Sequence, residues 1–131
     1  MSKEEKVEQP QTLPDILKAF PNSPTPEVIE GWKLDYGDVY VSGFSETELF
    51  VFRAITRPEW VALQVKSADP EAKMDTFKFE EAICDICVLW KSIPTTWDKC
   101  KAGIPSGIQE QVLQNSCFVT PQMASTLCAK L

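Results

Sequence analysis

The sequence contains no histidine among its 131 residues, and only 13 lysines and arginines stand against 19 acidic residues. The missing histidine removes the commonest general base and the commonest metal ligand in proteins. The net charge of −6 gives the chain none of the positive field that attracts phosphate backbones. We therefore expect no catalytic residue, no metal, no cofactor and no nucleic-acid partner.

Long apolar runs are missing as well. The longest, residues 83–90, is interrupted by Asp85 and is far shorter than the roughly 18 residues that a membrane span requires. The first ten residues, MSKEEKVEQP, lack the apolar stretch of a secretory signal. These features predict a protein that is made in a cytoplasm and does not enter a membrane. Its five cysteines are then expected to be reduced thiols.

The chain does contain 44% hydrophobic residues, which is enough for one core of ordinary size. The sequence predicts an N-terminal arm over residues 1–26. It consists of a polar stretch, a short amphipathic helix and the proline-rich connector PNSPTP. Residues 27–131 predict a single globular domain. The apolar positions at helical spacing in the arm are Leu13, Ile16, Leu17 and Phe20.

A β-hairpin is predicted from two runs rich in valine, phenylalanine and tyrosine, residues 38–42 and 48–54. Val39 and Val41 would share one face of the first strand, and Tyr40 would lie on the other.

Threonines followed by prolines predict helix starts near residues 12, 25, 56 and 120. In the helix after Thr56, we expect Trp60, Leu63 and Val61 to face inward. Further helices are predicted over residues 77–90, 96–102, 105–115 and 121–130, with Ile104, Ile108, Val112 and Leu113 on one packing face. The predicted fold is α+β, a small β-hairpin backed by a bundle of four or five short helices, with an extended N-terminal arm.

Cys84 and Cys87 form a CxxC motif, the one cysteine spacing here that is typical of metal or redox sites. The pair lies within a predicted helix, and no second pair or histidine completes a zinc site. We interpret both residues as core cysteines and keep a cysteine-based metal or redox protein as an alternative.

Two kinds of residue suggest contacts with a partner. Arg53 and Arg57 flank the exit of the hairpin, where a guanidinium could hold a partner carboxylate, although an internal salt bridge to Glu59 is the competing interpretation. Tryptophan is enriched at interfaces, and the chain contains four. The predicted partner-binding residues are Leu13, Ile16, Leu17, Phe20, Trp32, Arg53, Arg57 and Trp97.

Three segments carry a resemblance to a known family: FRAITRPEW at residues 52–60, EEAICDICVLW at 80–90 and AGIPSGIQEQVLQNSCF at 102–118. They resemble small tail-assembly and tail-baseplate proteins of tailed bacteriophages. In those proteins an FR-x-x-TR-x-E segment leads to a helix ending in C-V-L plus an apolar or proline residue. A later GI-P segment opens a helix that ends in S-G-F. The similarity covers about Gly37 to Phe118, with Cys117 at a usual glycine and Trp90 at a frequent proline.

The resemblance implies a noncatalytic protein that binds other tail or baseplate proteins in a hetero-oligomeric assembly. It would reside in the virion after synthesis in the host cytoplasm, and its arm would become ordered on docking. A transient tail assembly chaperone, absent from mature virions, is a further alternative.

Overall fold

A computed structural model describes residues 12–131, so residues 1–11 of the predicted arm lie outside the described residues. The elements in chain order are α1 (Leu13–Lys18), α2 (Pro26–Tyr36), β1 (Val39–Gly43), β2 (Leu49–Arg53), α3 (Arg57–Ser67), a 3₁₀ turn (Pro70–Ala72), α4 (Thr76–Cys87), β3 (Val88–Lys91), α5 (Ile104–Asn115) and α6 (Pro121–Thr126). This mixture of helices and antiparallel strands confirms the predicted α+β class.

Four helices begin in the same way, with a threonine followed within two residues by a proline. The Thr25 hydroxyl accepts a hydrogen bond from the backbone N–H three residues later, at 3.2 Å. Thr12 and Thr120 make the equivalent contact in α1 and α6, and Thr56 forms a reciprocal capping box with Glu59. Such caps satisfy N–H groups that the first helical turn leaves without partners. The predicted helix starts are therefore confirmed.

The strands form one antiparallel sheet in the order β1–β2–β3. β1 pairs with the whole of β2, with Val41 opposite Val51 at the centre, which confirms the predicted hairpin. The hairpin turn closes where the Phe44 N–H donates to the Glu48 carbonyl at 2.9 Å. β3 pairs along the other side of β2, so β2 is the central strand.

The predicted helix over residues 77–90 is wrong at its C-terminal end. α4 stops at Cys87, and Val88 already has the extended conformation, with φ −76° and ψ 123°. Residues 88–91 form β3 instead, with an irregularity in their register against β2. The cause lies far away in the sequence. The second edge of β2 needs hydrogen-bond partners, and the backbone of residues 88–91 supplies them.

Residues 96–102, also predicted as a helix, form turns instead. The Lys99 N–H donates to the Thr96 carbonyl, and the Ile104 N–H donates to the Lys101 carbonyl. Each bond spans three residues, as in a turn. A helix of seven residues is marginal by itself in water, so tertiary contacts decide the conformation of this segment.

Helices cover both faces of the sheet and create two apolar clusters. On one face, the even-numbered residues of β2 pack with α3, α4 and α5. This first core contains Phe50, Phe52, Ile55, Leu63, Ile83, Cys84, Cys87, Ile104, Ile108 and Val112. The second core, on the opposite face, contains Leu17, Leu49 and Val51. Val39 and Val41 pack on the second core and Tyr40 on the first, which confirms the predicted faces of the hairpin.

The helix faces agree with the prediction except at one position. α5 buries or half-buries the whole predicted packing face against the first core, namely Ile104, Ile108, Val112 and Leu113. In α3, Leu63 is buried and Trp60 is half-buried, but Val61 is 43% exposed. The expectation for Val61 was wrong because each residue turns about 100° round the helix, and the core takes only one stripe.

α5 ends in a left-handed cap at Cys117, whose φ is 69°. The Cys117 N–H donates to the Gln114 carbonyl at 3.4 Å, and the Phe118 N–H donates to the Leu113 carbonyl at 3.1 Å. This pair of bonds is the Schellman motif, in which glycine is the usual left-handed residue because it lacks a Cβ. The cap therefore forms even though cysteine occupies its central position.

We expect Cys117→Gly to stabilise the protein by about 0.5–1 kcal/mol, because glycine removes the clash between Cβ and the left-handed backbone. Thermal unfolding followed by circular dichroism measures the change. Cys117→Ala is the matched control, since alanine keeps the Cβ in the same conformation and should give no such gain. Equal midpoints for Cys117→Gly and Cys117→Ala would contradict the strained cap.

Candidate functional site

The structure gathers five of the predicted partner-binding residues on one face of the sheet. Leu17 is 7% exposed and belongs to the second core. Ile16, Phe20 and Trp32 are half-buried around it, and Leu13 is 39% exposed and lies against the end of β1. α1 thus packs on the sheet, while the domain boundary after residue 26 stays a prediction.

An apolar groove lies between α1 and α2. Its main part has a volume of about 470 Å³, and a second part of about 240 Å³ continues along β1. Pro14, Leu17 and Ile29 line both parts. A groove of this kind suits an apolar segment of another polypeptide, because apolar walls supply binding energy and few polar groups need partners.

Arg53, at the end of β2, forms a buried ion pair. Its guanidinium donates to both carboxylate oxygens of Glu59, at 2.6 and 2.8 Å, and to the Ile86 carbonyl at 3.0 Å. The Arg53 side chain is 7% exposed, and its Cζ lies 4.5 Å from the centroid of the Tyr36 ring. Of the two interpretations that the sequence left open for Arg53, the structure shows the internal salt bridge.

The ion pair fixes the charge on Glu59. Its hydrogen bonds with Arg53 lower the pKa of this carboxyl from 4.5 to about 2, although partial burial acts in the opposite direction. The same carboxylate accepts a hydrogen bond from the Thr56 N–H at 3.0 Å. Glu59 is therefore an anion at neutral pH. It caps the N-terminus of α3 and neutralises the charge of Arg53.

Arg57 is exposed in the first turn of α3. It borders a pocket of about 210 Å³ that Trp60, Cys117 and Phe118 also line. The Trp60 and Phe118 rings lie 4.7 Å apart, centroid to centroid. Arg57 thus places a cation beside an aromatic surface formed by α3 and the end of α5.

Trp97 is half-buried against the first core. Its ring centroid lies 5.9 Å from that of Phe50, and its Nε1–H donates to Asp85 Oδ1 at 2.7 Å. On another side, Lys91 Nζ lies 4.7 Å from the centroid of the Trp97 ring. These contacts attach the loop before α5 to the first core, and a partner could reach only the remaining part of the indole.

Cys84 and Cys87 are free thiols with no exposed surface in the first core. Burial raises the pKa of each thiol to about 12, so both stay protonated at neutral pH. Zinc binding and disulfide chemistry require the thiolate. Among residues 12–131, no three potential metal ligands lie close enough together to hold an ion. The burial of both thiols supports their interpretation as core residues.

The surface that the sequence interpretation missed follows α5. Every residue of 118–131, called here the C-terminal segment, is exposed, and its helix α6 ends at Thr126, earlier than the predicted Lys130. Exposed apolar residues recur in it every four positions: Val119, Met123, Leu127 and Leu131. Lys130 is its only charged side chain. The spacing of these residues and the near absence of charge were signals available in the sequence.

Comparisons with known proteins assign no family, because no protein-family model, no curated protein and no solved structure matches the chain. In the part of the chain from Thr12 onward, none of the helices has the length and apolar character needed to cross a bilayer.

The lowered pKa of Glu59 predicts a specific acid sensitivity. Its contribution to stability is complete above about pH 4.5 and is lost as the pH falls toward 2. We expect the free energy of unfolding of the wild type to fall over this interval, and that of Glu59→Gln to fall less. At pH 7, Glu59→Gln should cost about 2–3 kcal/mol, because it leaves the buried Arg53 without an anion. The expected loss of stability is smaller than for a fully buried ion pair, because the Glu59 side chain is 33% exposed.

Urea denaturation at pH 7 and pH 3 measures both effects. Glu30→Gln is the matched control, because Glu30 lies 3.6 Å from Lys33 in an exposed pair and should contribute less than about 0.5 kcal/mol. Equal losses in the two variants at pH 7 would show that the Arg53–Glu59 pair is not structurally important.

The burial of the thiols predicts their reactivity. In the native protein, a thiol reagent should label the exposed Cys117 and Cys128 rapidly. Cys84 and Cys87 should react only as fast as the protein unfolds, because the reagent needs an accessible thiolate. Mass spectrometry of labelled peptides gives each rate, and adding urea provides the fully reactive reference. Rapid native labelling of Cys84 or Cys87, or a stoichiometric zinc ion bound by them, would favour the metal or redox alternative.

Proposed function

We propose that the chain is a noncatalytic bacteriophage tail or baseplate protein, a structural or assembly component that binds neighbouring tail subunits in the virion. The resemblance of its three segments supports this family. The residues of the FR-x-x-TR-x-E segment form the Arg53–Glu59 pair and the capping box of α3, and the GI-P segment opens α5. These are folding roles, which suit a protein that acts through its surface.

The C-terminal segment is the observation that carries the proposal. Its apolar side chains are exposed, with Leu127 at 70% and Met123 at 47%, and they lie at the spacing of one helical face. Clusters of exposed apolar residues mark sites of protein–protein contact. Of the four recurring residues, only Met123 lies within α6, so the proposal is that this helix extends through Leu127 when it docks in a groove. Neighbouring tail or baseplate proteins are the proposed partners.

The groove between α1 and α2 supplies a second contact surface for the same function. Its walls are apolar along Pro14, Leu17 and Ile29. Two separate surfaces allow one small subunit to join two neighbours, and the second contact then forms at a high effective concentration.

A transient tail assembly chaperone is the second candidate. The near absence of charge in the C-terminal segment favours it, because such a surface can cover apolar segments of another tail protein before they assemble. The two candidates differ in one observable property. A structural subunit stays in the mature virion, whereas a chaperone is present in infected cells and absent from purified particles.

We expect the double variant Met123→Asp and Leu127→Asp to fold normally but to be lost from particles, because two charges would be buried in the contact. Quantitative peptide mass spectrometry of virions, purified after complementation of a phage that lacks the gene, measures incorporation. The matched control, Gln122→Asp and Ser125→Asp, adds the same charge to polar positions of α6 and should incorporate at the wild-type level.

Three outcomes distinguish the candidates. A structural subunit that binds through the C-terminal segment is supported if the Met123→Asp, Leu127→Asp variant is lost from virions and the control variant is not. The chaperone is supported if the wild-type chain is absent from virions and the Met123→Asp, Leu127→Asp variant blocks tail formation. Normal particles in the complete absence of the chain would contradict both assignments.

A further inference from the structure

We propose that the outer edge of β1 is a self-association site, at which β1 of a second copy pairs antiparallel with it to form a two-fold dimer. This inference goes beyond the proposed function and does not depend on it, because it concerns the isolated chain. It is argued from the backbone of β1, its side chains and the residues at its two ends.

The hydrogen-bond pattern identifies the backbone groups that face outward. The Phe44 N–H donates to the Glu48 carbonyl, and bonded pairs alternate along an antiparallel ladder. Tyr40 and Ser42 therefore bond to β2, and the alternate residues direct their N–H and C=O groups away from it. These outward residues are Val39, Val41 and Gly43. Among residues 12–131, no backbone hydrogen bond outside the ladder reaches them.

β1 also lacks the charged side chains, the proline and the bulge that often protect an edge strand. Its sequence, VYVSG, contains no lysine, no proline and no charged side chain, and its register with β2 is regular. Natural sheets commonly use such residues or a bulge to prevent pairing between edges. The other edge strand, β3, has an irregular register and ends in Lys91. β1 is therefore the edge that is suited to pairing.

A self-paired register centred on Val41 places compatible residues together. Val39 of each copy would face Gly43 of the other, so every outward N–H and C=O group finds a partner. Asp38 would face Phe44 instead of a second Asp38, so the pairing brings no like charges directly opposite each other across the new ladder. The strand residues that would pair carry no charged side chain.

Exposed apolar side chains flank both ends of β1. The last turn of α2, which leads into the Val39 end, carries Leu34 at 87% and Tyr36 at 45% exposure. Leu13 and Phe44, at 39% and 36% exposure, lie at the opposite end. The antiparallel register brings the Val39 end of one copy beside the Gly43 end of the other. We expect a weak, concentration-dependent dimer, because the contact consists of one five-residue strand and a few side chains at its ends.

The test uses the full chain between micromolar and millimolar concentration. Sedimentation velocity should show a monomer–dimer equilibrium. Amide hydrogen exchange measured by NMR should show that the outward amides of Val39, Val41 and Gly43 become protected as the concentration rises. The amides of Tyr40 and Ser42 should be protected at every concentration, because they bond within the ladder.

Two variants locate the contact. Leu34→Glu should raise the dimer dissociation constant about tenfold or more, because it places a charge in the buried contact. Val65→Glu is its matched control, since Val65 is an exposed apolar residue of α3 at 68% exposure and should leave the equilibrium unchanged. Val41→Pro removes an outward N–H that the ladder does not use, so it should abolish pairing while the circular dichroism spectrum stays native.

Each contrary result would overturn the proposal. A chain that is monomeric at millimolar concentration has no such site. A dimer that persists in Leu34→Glu, or that Val65→Glu weakens equally, forms elsewhere on the surface. Protection of Val39, Val41 and Gly43 at every concentration would mean that the edge is already covered within one chain.

Discussion

Strand β2 is enclosed on both faces and paired along both edges, and the rest of the fold is arranged around this strand. All five of its residues are buried, with Phe50 and Phe52 in the first core and Leu49 and Val51 in the second. Full burial of each large apolar side chain contributes roughly 1.5–3 kcal/mol. A strand buried in this way needs hydrogen-bond partners on both sides, because water cannot reach its backbone. The hairpin partner β1 supplies one side and β3 the other.

The buried Arg53 at the end of β2 adds a second constraint, since an unpaired charge in this position would be strongly destabilising. Glu59 supplies the anion from the first turn of α3, which fixes the short connection between β2 and α3. The same guanidinium binds the Ile86 carbonyl, one of the last-turn groups of α4 that lack a helical partner. Arg53 thereby stabilises the C-terminal end of α4 where the chain turns into β3.

Signals that act over a few residues could be read from the sequence. The threonine–proline caps at Thr12, Thr25, Thr56 and Thr120 and the alternation of β1 depend only on neighbouring residues, and the structure confirms them. β3 could not be predicted in this way, because its apolar run fits a helix and a strand equally well. Only the distant edge of β2 and the contact between Arg53 and α4 decide between them. Likewise, the exposure of the C-terminal segment could not be predicted, because it depends on the tertiary contacts that α5 and the sheet make elsewhere.

Most aromatic side chains pack on the two cores. This packing limits the kind of contact that the surface can make. Trp60 lies 5.7 Å from Phe79, and Trp90 lies 6.0 Å from Phe20, centroid to centroid. The most exposed large apolar side chains are mostly aliphatic, as in α2 and the C-terminal segment. Such side chains each contribute modestly, whereas the strongest interface positions are usually aromatic residues or arginine. Stable binding then requires several surfaces at once, and an assembly in which neighbouring subunits are already held in place supplies that condition.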